Sequence, residues 1–372
     1  MFLADCVQHV AVAAFGMGSW LSVNAVYVQL PLLIYIVPEG WNLATYIVLL
    51  VQIACIAPLI YGILDILMEC ISNKTWKRYN QMVLIPIMLV LSGFGLLMAA
   101  FTYDQPVVID NAKHSYWLFV AILIMSIPCT TADVLFLPYI TKLENFKYVT
   151  TFFIGMGLSA LLPSTVSLIQ GASANLNGTV PNAWGSTEGS VLFGPRSYLV
   201  IMVALTFVSL LEIAVSFDLS DRLEDTRRNE KCQLFKLLEF TRFENFCPNI
   251  YFWSTLLTVM MNPIFCFLQF CIAFKNTCFF IIWASVSFAL VAFAFTMALV
   301  GKVDGLAPVL LVVFGLSSGL ISWERTAIAQ ILRQTSTARG LFWCGAFTQI
   351  GSFIGALTMF VLTEVVGIFR KQ

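Results

Sequence analysis

Ten long stretches of the chain carry at most two charged residues each, and this pattern constrains the fold more than any other feature. The stretches are residues 7–36, 43–67, 82–103, 117–140, 150–170, 196–217, 249–273, 279–300, 306–331 and 341–367. A helix needs about 20 mostly apolar residues to cross the hydrocarbon core of a bilayer, and it satisfies its backbone hydrogen bonds without water. The sequence therefore predicts an all-α, polytopic membrane protein with about ten transmembrane helices in a lipid bilayer.

The composition excludes several other classes of protein. Of the 372 residues, 59% are hydrophobic and 11% are charged, whereas a typical soluble domain is about 25% charged. The formal net charge is zero, so the sequence lacks the basic character of nucleic-acid-binding proteins. Only two histidines occur, and the ten cysteines show none of the spacings of a metal site. We therefore expect no enzyme, no metal, no cofactor and no nucleic-acid partner.

Basic residues are unevenly distributed between the alternate loops of the first half. Three loops hold most of them: 68–81, 141–149 and 218–248. The loops that alternate with these hold a single lysine: 37–42, 104–116 and 171–195. Because lysine and arginine accumulate in cytoplasmic loops, the N-terminus is predicted to be cytoplasmic. The sequon at Asn177 then lies outside the cell, where a glycan is expected.

The same features divide the chain into three parts. Residues 1–217 are predicted to form an N-terminal six-helix bundle, 218–248 a charged cytoplasmic loop, and 249–372 a C-terminal four-helix bundle. Within the loop, residues 234–246 repeat apolar positions at roughly helical spacing, which fits either a helix on the inner membrane surface or a solvated linker. The loops of the second half carry three basic residues on each side, so they do not fix its orientation.

Polar side chains inside the spans are the candidates for a binding site, because lipid-facing positions do not need them. Trp20, Asn24 and Tyr27 are spaced by four and three residues, so they share one face of the first helix. An aromatic ring beside an amide suits a flat heterocycle, although helix packing uses the same groups. Gln52 lies inside the second span and Asp133 deep in the fourth. Asp133 fits substrate contact, proton coupling or a structural hydrogen bond, because a buried carboxylate needs a partner.

Two further patterns concern helix contacts. Glu324 and Arg325 are adjacent in the ninth span, and neighbouring residues point about 100° apart, so each is expected to find partners on other helices or to line a wet cavity. Four pairs of glycines predict close helix approach. They are Gly16 with Gly18, Gly155 with Gly157, Gly315 with Gly319, and Gly351 with Gly355.

Several longer strings of sequence resemble a known family. They are 15–20 (FGMGSW) followed by Asn24, 38–41 (PEGW), 136–138 (FLP), 155–163 (GMGLSALLP), Asn262-Pro263, and 349–356 (QIGSFIGA). In this order they resemble the eukaryotic riboflavin transporters, a family of the solute carrier type. The resemblance implies uptake of riboflavin across the plasma membrane by alternating access without ATP. It also implies eleven helices in a six-plus-five arrangement similar to the equilibrative nucleoside transporters, with Trp20, Asn24 and Gln52 near a central cavity.

The chain departs from that family at three places. Gln29 stands where the family usually has Glu, and Asp133 where it usually has Asn. The third departure is a missing helix, because the charged loop runs directly into residues 245–248, which follow another span in the family. Losing one span is expected to invert every later helix. Two alternatives to riboflavin transport therefore stay open: a carrier of another planar solute such as a nucleoside, or a non-transporting splice variant.

Overall fold

The computed structural model describes residues 2–70, 74–109, 111–140, 147–171, 192–223, 248–271, 277–300, 307–335 and 338–362. Helices make up most of these residues. The α-helices are α1 (Phe2–Leu33), α2 (Leu43–Ala54), α3 (Ile56–Cys70), α4 (Lys74–Thr102), α5 (Tyr116–Ile140), α6 (Lys147–Gln170), α7 (Pro195–Leu223), α8 (Pro248–Cys271), α9 (Thr277–Val300), α10 (Ala307–Thr335) and α11 (Ala338–Phe360).

The helices confirm the all-α, polytopic prediction. Eight described segments are long and apolar enough to cross a membrane, and one of them, Leu43–Met68, comprises α2 and most of α3. Two shorter apolar segments, Pro195–Leu210 in α7 and Leu257–Gln269 in α8, bring the described total to ten. Each coincides with one of the ten stretches identified in the sequence.

The second span is broken at Cys55, and Pro58 explains the break. A proline ring collides with the carbonyl group four residues earlier and leaves it without a helical donor. That carbonyl belongs to Ala54, and it accepts a hydrogen bond from Thr130 Oγ1 on α5 at 3.1 Å. A neighbouring helix thus satisfies the backbone group that the proline exposes, as the apolar environment requires.

A small β-hairpin between α4 and α5 was not predicted. Its strands β1 (Val107–Ile109) and β2 (Ala112–His114) pair antiparallel. Asn111 occupies the left-handed region at the turn, with φ of 64°. The backbone N–H and the hydroxyl of Ser115 donate to the Glu39 carboxylate at 2.7 and 2.8 Å. These bonds tie the start of α5 to the turn between the first two spans.

Glycines let α1 pack closely against α6, as predicted. A Cβ atom on Gly16 would overlap the carbonyl oxygen of Phe152, and one on Gly155 would overlap that of Ala13. The two helices are parallel, because Tyr148 donates to Gln8 near their starts and Gln29 donates to Gln170 near their ends. We call the end of the bundle where α1 begins the proximal end, and the opposite end the distal end.

The last four helices run in an order that simple alternation does not give. With ten alternating spans, the last would run parallel to the second. In the structure α11 is antiparallel to α2 and α3, because Cys55 approaches Gln349 while Gly62, seven residues later, faces Phe342, seven residues earlier. The start of α11 is therefore proximal. The inversion expected from a missing span is absent from α8–α11.

The buried clusters place α8 in the same way. Cys266, near the C-terminal end of α8, shares a buried cluster with Tyr148 at the start of α6 and with Leu341 at the start of α11. The C-terminal end of α8 is thus proximal and its start, Pro248, is distal, whereas α7 ends proximally at Leu223. The sequence between them, 224–247, has no uncharged run longer than four residues, so it does not supply the apolar length of a spanning helix.

The helix directions predict the sidedness of the two termini. A tag placed after Gln372 should lie on the opposite face of the membrane from a tag placed before Met1, because α11 runs from the proximal to the distal end. Antibody access in intact and permeabilised cells measures this. Tags inserted in 141–146 and in 172–191 serve as proximal and distal references. Both termini on one face would show that α8–α11 insert by simple alternation.

Candidate functional site

The three side chains predicted to share a face of α1 are all half-buried, whereas the residues between them are mostly buried. Trp20 packs against both large buried clusters, the distal one and the proximal one. It therefore lies at mid-depth in the bundle. Its indole Nε1 is buried and has no hydrogen-bond partner among the described residues. A buried donor without a partner is costly, so this atom suits an acceptor on a bound molecule.

Asn24 lies one turn beyond Trp20 and is held by α6. Its Nδ2 donates to Ser159 Oγ at 3.0 Å, and Ser159 Oγ in turn donates to the Met156 carbonyl. This chain of bonds fixes the orientation of the amide. Tyr27 follows on the same face. The α1 face therefore offers two aromatic rings and one amide in a row.

Gln52 lies in the last turn of α2, beside the break at Cys55. The Cys55 thiol is 3.7 Å from Gln52 Oε1 and 3.5 Å from Gln349 Oε1 on α11. Broken membrane helices present polar groups at mid-depth, and such breaks occur at the binding sites of other transporters. The break thus brings an amide of α2 close to an amide of α11.

Asp133 is the centre of a polar contact between three helices, which we call the Asp133 bridge. Its Oδ2 accepts hydrogen bonds from Arg325 Nη2 on α10 at 2.7 Å and from Gln349 Nε2 on α11 at 3.1 Å. The side chain of Asp133 is 3% exposed and that of Arg325 25% exposed. The guanidinium also lies 5.5 Å from the ring centre of Phe153, within cation–π range. A buried carboxylate is thereby neutralised by helices from the far end of the sequence.

The neighbouring acid on α10 takes a separate partner. Glu324 is buried, and its Oε1 accepts a hydrogen bond from Ser287 on α9 at 3.3 Å. Glu324 and Arg325 therefore bind to different helices, as their 100° separation predicted. The Asp133–Arg325 pairing itself could not be predicted, because the sequence does not show which helices are neighbours.

A second pair of amides closes the distal part of α1. Gln29 Nε2 donates to Gln170 Oε1 at 2.7 Å, and Gln170 Nε2 donates to the Phe193 carbonyl at 2.9 Å. Both glutamine side chains are buried. Gln29 is therefore a structural link between α1 and α6 in this structure. Sequence reasoning missed Gln170, although a glutamine at the end of an apolar span was a usable signal.

The remaining glycine predictions have mixed outcomes. A Cβ atom on Gly315 or Gly319 would press against Leu257 or Phe265 of α8, which confirms close approach there. Among the residues that the structure describes, nothing lies within 4 Å of a Cβ atom on Gly351 or Gly355, so that prediction is wrong for this part of the chain. The close contact of α11 is instead at Gly345, where a Cβ atom would overlap the Asp133 carbonyl oxygen.

Two predictions fall outside the described residues. Asn177, the expected glycosylation site, and residues 234–246, the candidate interfacial helix, belong to ranges that the structure does not describe. They stay predictions from the sequence.

Comparison with known proteins assigns the family. The profile of solute carrier family 52, riboflavin transporter, matches residues 4–235 and 244–371, which is nearly the whole chain. The chain belongs to this family. Membership in solute carrier family 52 confirms the resemblance seen in the sequence and identifies the chain as a multi-pass membrane protein of a transporter family, not an enzyme. The match is interrupted between residues 235 and 244, inside the charged segment that connects α7 and α8.

Curated relatives cover the same length. The riboflavin transporter rft-1 of Caenorhabditis elegans is 28% identical over 434 aligned positions, which include 97% of this chain and 96% of the relative. Riboflavin transporter member 3-B of Danio rerio is 26% identical and member 3 of Homo sapiens 25% identical, each with 98% of this chain and 97% of the relative covered. These alignments are longer than the 372 residues of this chain, so the solute carrier family 52 relatives carry additional residues opposite gaps in it.

The contact at Gly345 predicts a difference between two glycines of one helix. Gly345→Ala should destabilise the protein by about 1–3 kcal/mol, because the methyl group must push α11 away from the α5 backbone. Gly351→Ala is the matched control, since its methyl group meets no described residue within 4 Å, and it should be neutral. Thermal unfolding in detergent measures both. Equal effects of the two substitutions would contradict the close approach of α11 to Asp133.

Proposed function

We propose that this chain takes up riboflavin across the plasma membrane by alternating access, with the N-terminus in the cytoplasm. Family membership and relatives named as riboflavin transporters support the substrate. The basic residues near the proximal ends of the helices support a cytoplasmic proximal end. No step of this transport needs a cofactor or ATP, and the lipid bilayer is the partner that the apolar helix surfaces require.

The α1 face is the part of the structure that best fits riboflavin. Riboflavin is neutral and consists of a flat tricyclic ring with a polyol tail. Trp20 and Tyr27 supply rings for stacking, and Asn24 and Gln52 supply amides for the polar edge and the tail. The single observation that carries this proposal is the buried Trp20 Nε1 without a partner, because a ring carbonyl of the ligand would complete its hydrogen bonding.

Asp133 has a different environment from the other candidates. Its carboxylate is buried, and the contacts described above all come from the protein. Direct contact with the substrate stays a prediction that requires the Asp133 bridge to open. Having Asp at position 133, where the family usually has Asn, therefore does not by itself place a charge beside the ligand. This supports the proposal of a neutral substrate.

Uptake of labelled riboflavin by cells that express the chain tests the proposal. Saturable uptake should fall about tenfold or more in Trp20→Ala, because stacking of a flat heterocycle is worth ~1–3 kcal/mol and 1.4 kcal/mol is a factor of ten. The uptake by Trp20→Phe, which keeps a ring and loses the N–H donor, should lie between that of the wild type and that of Trp20→Ala. Trp343→Ala is the control, since that tryptophan is exposed on α11. No uptake by protein that reaches the cell surface would refute the proposal.

Competition separates riboflavin from other planar solutes. Unlabelled riboflavin should block the uptake, whereas nucleosides at the same concentration should leave it unchanged, because their smaller bases cover less of the two rings. The measurement is the concentration of each compound that halves the uptake. Equal or stronger inhibition by a nucleoside would favour the alternative carrier function.

A second candidate function is that of a non-transporting member of the family. It is favoured by one observation: Leu223 and Pro248 lie at opposite ends of the bundle, and the sequence between them is charged throughout. In this case the chain would retain the α1 face and bind riboflavin without moving it. Riboflavin binding with no uptake, abolished by Trp20→Ala, would identify this function.

A further inference from the structure

Among the side chains that the structure describes, the closest approaches between the first seven helices and the last four lie near the proximal end. Three close approaches mark the contact: Gly345 against Asp133, Gly62 against Phe342, and Gly157, whose Cβ would lie 2.8 Å from Pro263. Counted from the proximal ends of α11 and α8, Gly345, Phe342 and Pro263 lie within about 12 Å at 1.5 Å per residue. The contact therefore occupies the proximal half of the membrane.

The burial pattern of α11 shows where this contact ends. Leu341, Gly345 and Gln349 are buried at four-residue spacing, which is the stripe of a helix packed on a neighbour. From Ile350 to Thr358 no residue is buried, and the stripe continues only through half-buried Ser352 and Ala356. Beyond Gln349, α11 is thus more exposed and packs less closely towards the distal end.

The Asp133 bridge lies where the buried part of α11 ends and its more exposed part begins. Gln349 is both the last residue of the buried stripe and a donor to Asp133. Arg325 reaches the same carboxylate from α10. Two donors from the last four helices therefore converge on one acceptor of the first seven, and a sliding or tilting of α10 and α11 breaks both bonds together.

We infer that the Asp133 bridge is the latch of the proximal gate: Arg325 and Gln349 hold Asp133 while the carrier is open to the distal side, and release it when the carrier opens to the proximal side. The inference rests on the proposed alternating access. These are positioning residues, since they act on the relative placement of helices. The neutral Asn that the family usually has at this position could still accept both hydrogen bonds, so the charge strengthens a latch that an amide also allows.

Sided transport kinetics test the latch. Arg325→Gln should favour the proximal-open state, so that the KM for uptake rises about 3–10-fold and the KM for efflux from loaded vesicles falls, because apparent affinity scales with the fraction of carrier that faces the ligand. A defect of folding alone would lower the maximal rate in both directions and leave both KM values unchanged. Asp133→Asn should give a smaller shift in the same direction.

Arg196→Gln is the matched control. Arg196 pairs with Asp104 at 2.9 Å and lies 5.8 Å from the ring centre of Phe101, an arrangement like that of Arg325, but both partners precede α5 and neither belongs to the last four helices. Its KM values should not change. If Arg325→Gln fails to fold, the double variant Asp133→Asn with Arg325→Gln leaves no buried charge without a partner, and it should show the same KM split.

A thiol measurement keeps the inference independent of the substrate. Cys344 precedes Gly345 and is half-buried. The rate at which Cys344 reacts with a membrane-impermeant maleimide is measured from the proximal side, and the signal that remains in Cys344→Ala is subtracted. This rate should increase several-fold in Arg325→Gln. If the wild-type chain shows no riboflavin uptake, the proposed function is refuted. The maleimide labelling then still tests the latch, because it does not depend on the substrate. Unchanged KM values or unchanged labelling in the double variant, with the protein in the membrane, would overturn the latch.

Discussion

The structure depends on one buried ion pair, Asp133 with Arg325. A carboxylate placed among apolar helices costs several kcal/mol unless a partner neutralises it, and here the partner comes from a helix almost 200 residues later in the chain. Gln349 adds a second donor, and Gly345 lets the α11 backbone approach the same turn. The pair therefore decides both which helices are neighbours and how deep in the membrane the two parts of the chain meet.

The bridge joins helices whose directions are set by other contacts. Cys55 against Gln349 and Gly62 against Phe342 make α11 antiparallel to α2 and α3. This order leaves Leu223 and Pro248 at opposite ends, joined by a sequence without an apolar span. The packing follows the order of a bundle with one more helix, so the local contacts of α8–α11 outweigh alternation along the chain.

The sequence predicted the spans well and their contacts only in part. Runs of apolar residues fix the helices, because each backbone in lipid must satisfy its own hydrogen bonds. The face formed by Trp20, Asn24 and Tyr27 follows from helical periodicity alone. The partners of Asp133 and Gln29 do not, since they lie more than 140 residues away. The Gly351 and Gly355 pair misled the prediction because a small residue permits close approach without supplying the neighbour.

A double-mutant cycle between Asp133 and Arg325 tests the central claim most directly. The free energies of unfolding of Asp133→Asn, Arg325→Gln and the double variant are compared with that of the wild-type protein. A direct buried pair predicts a double variant less destabilised than the sum of the single effects, with a coupling of about 1–3 kcal/mol. Additive effects would show that the two side chains are not in contact, and that α8–α11 do not pack on the first seven helices as described.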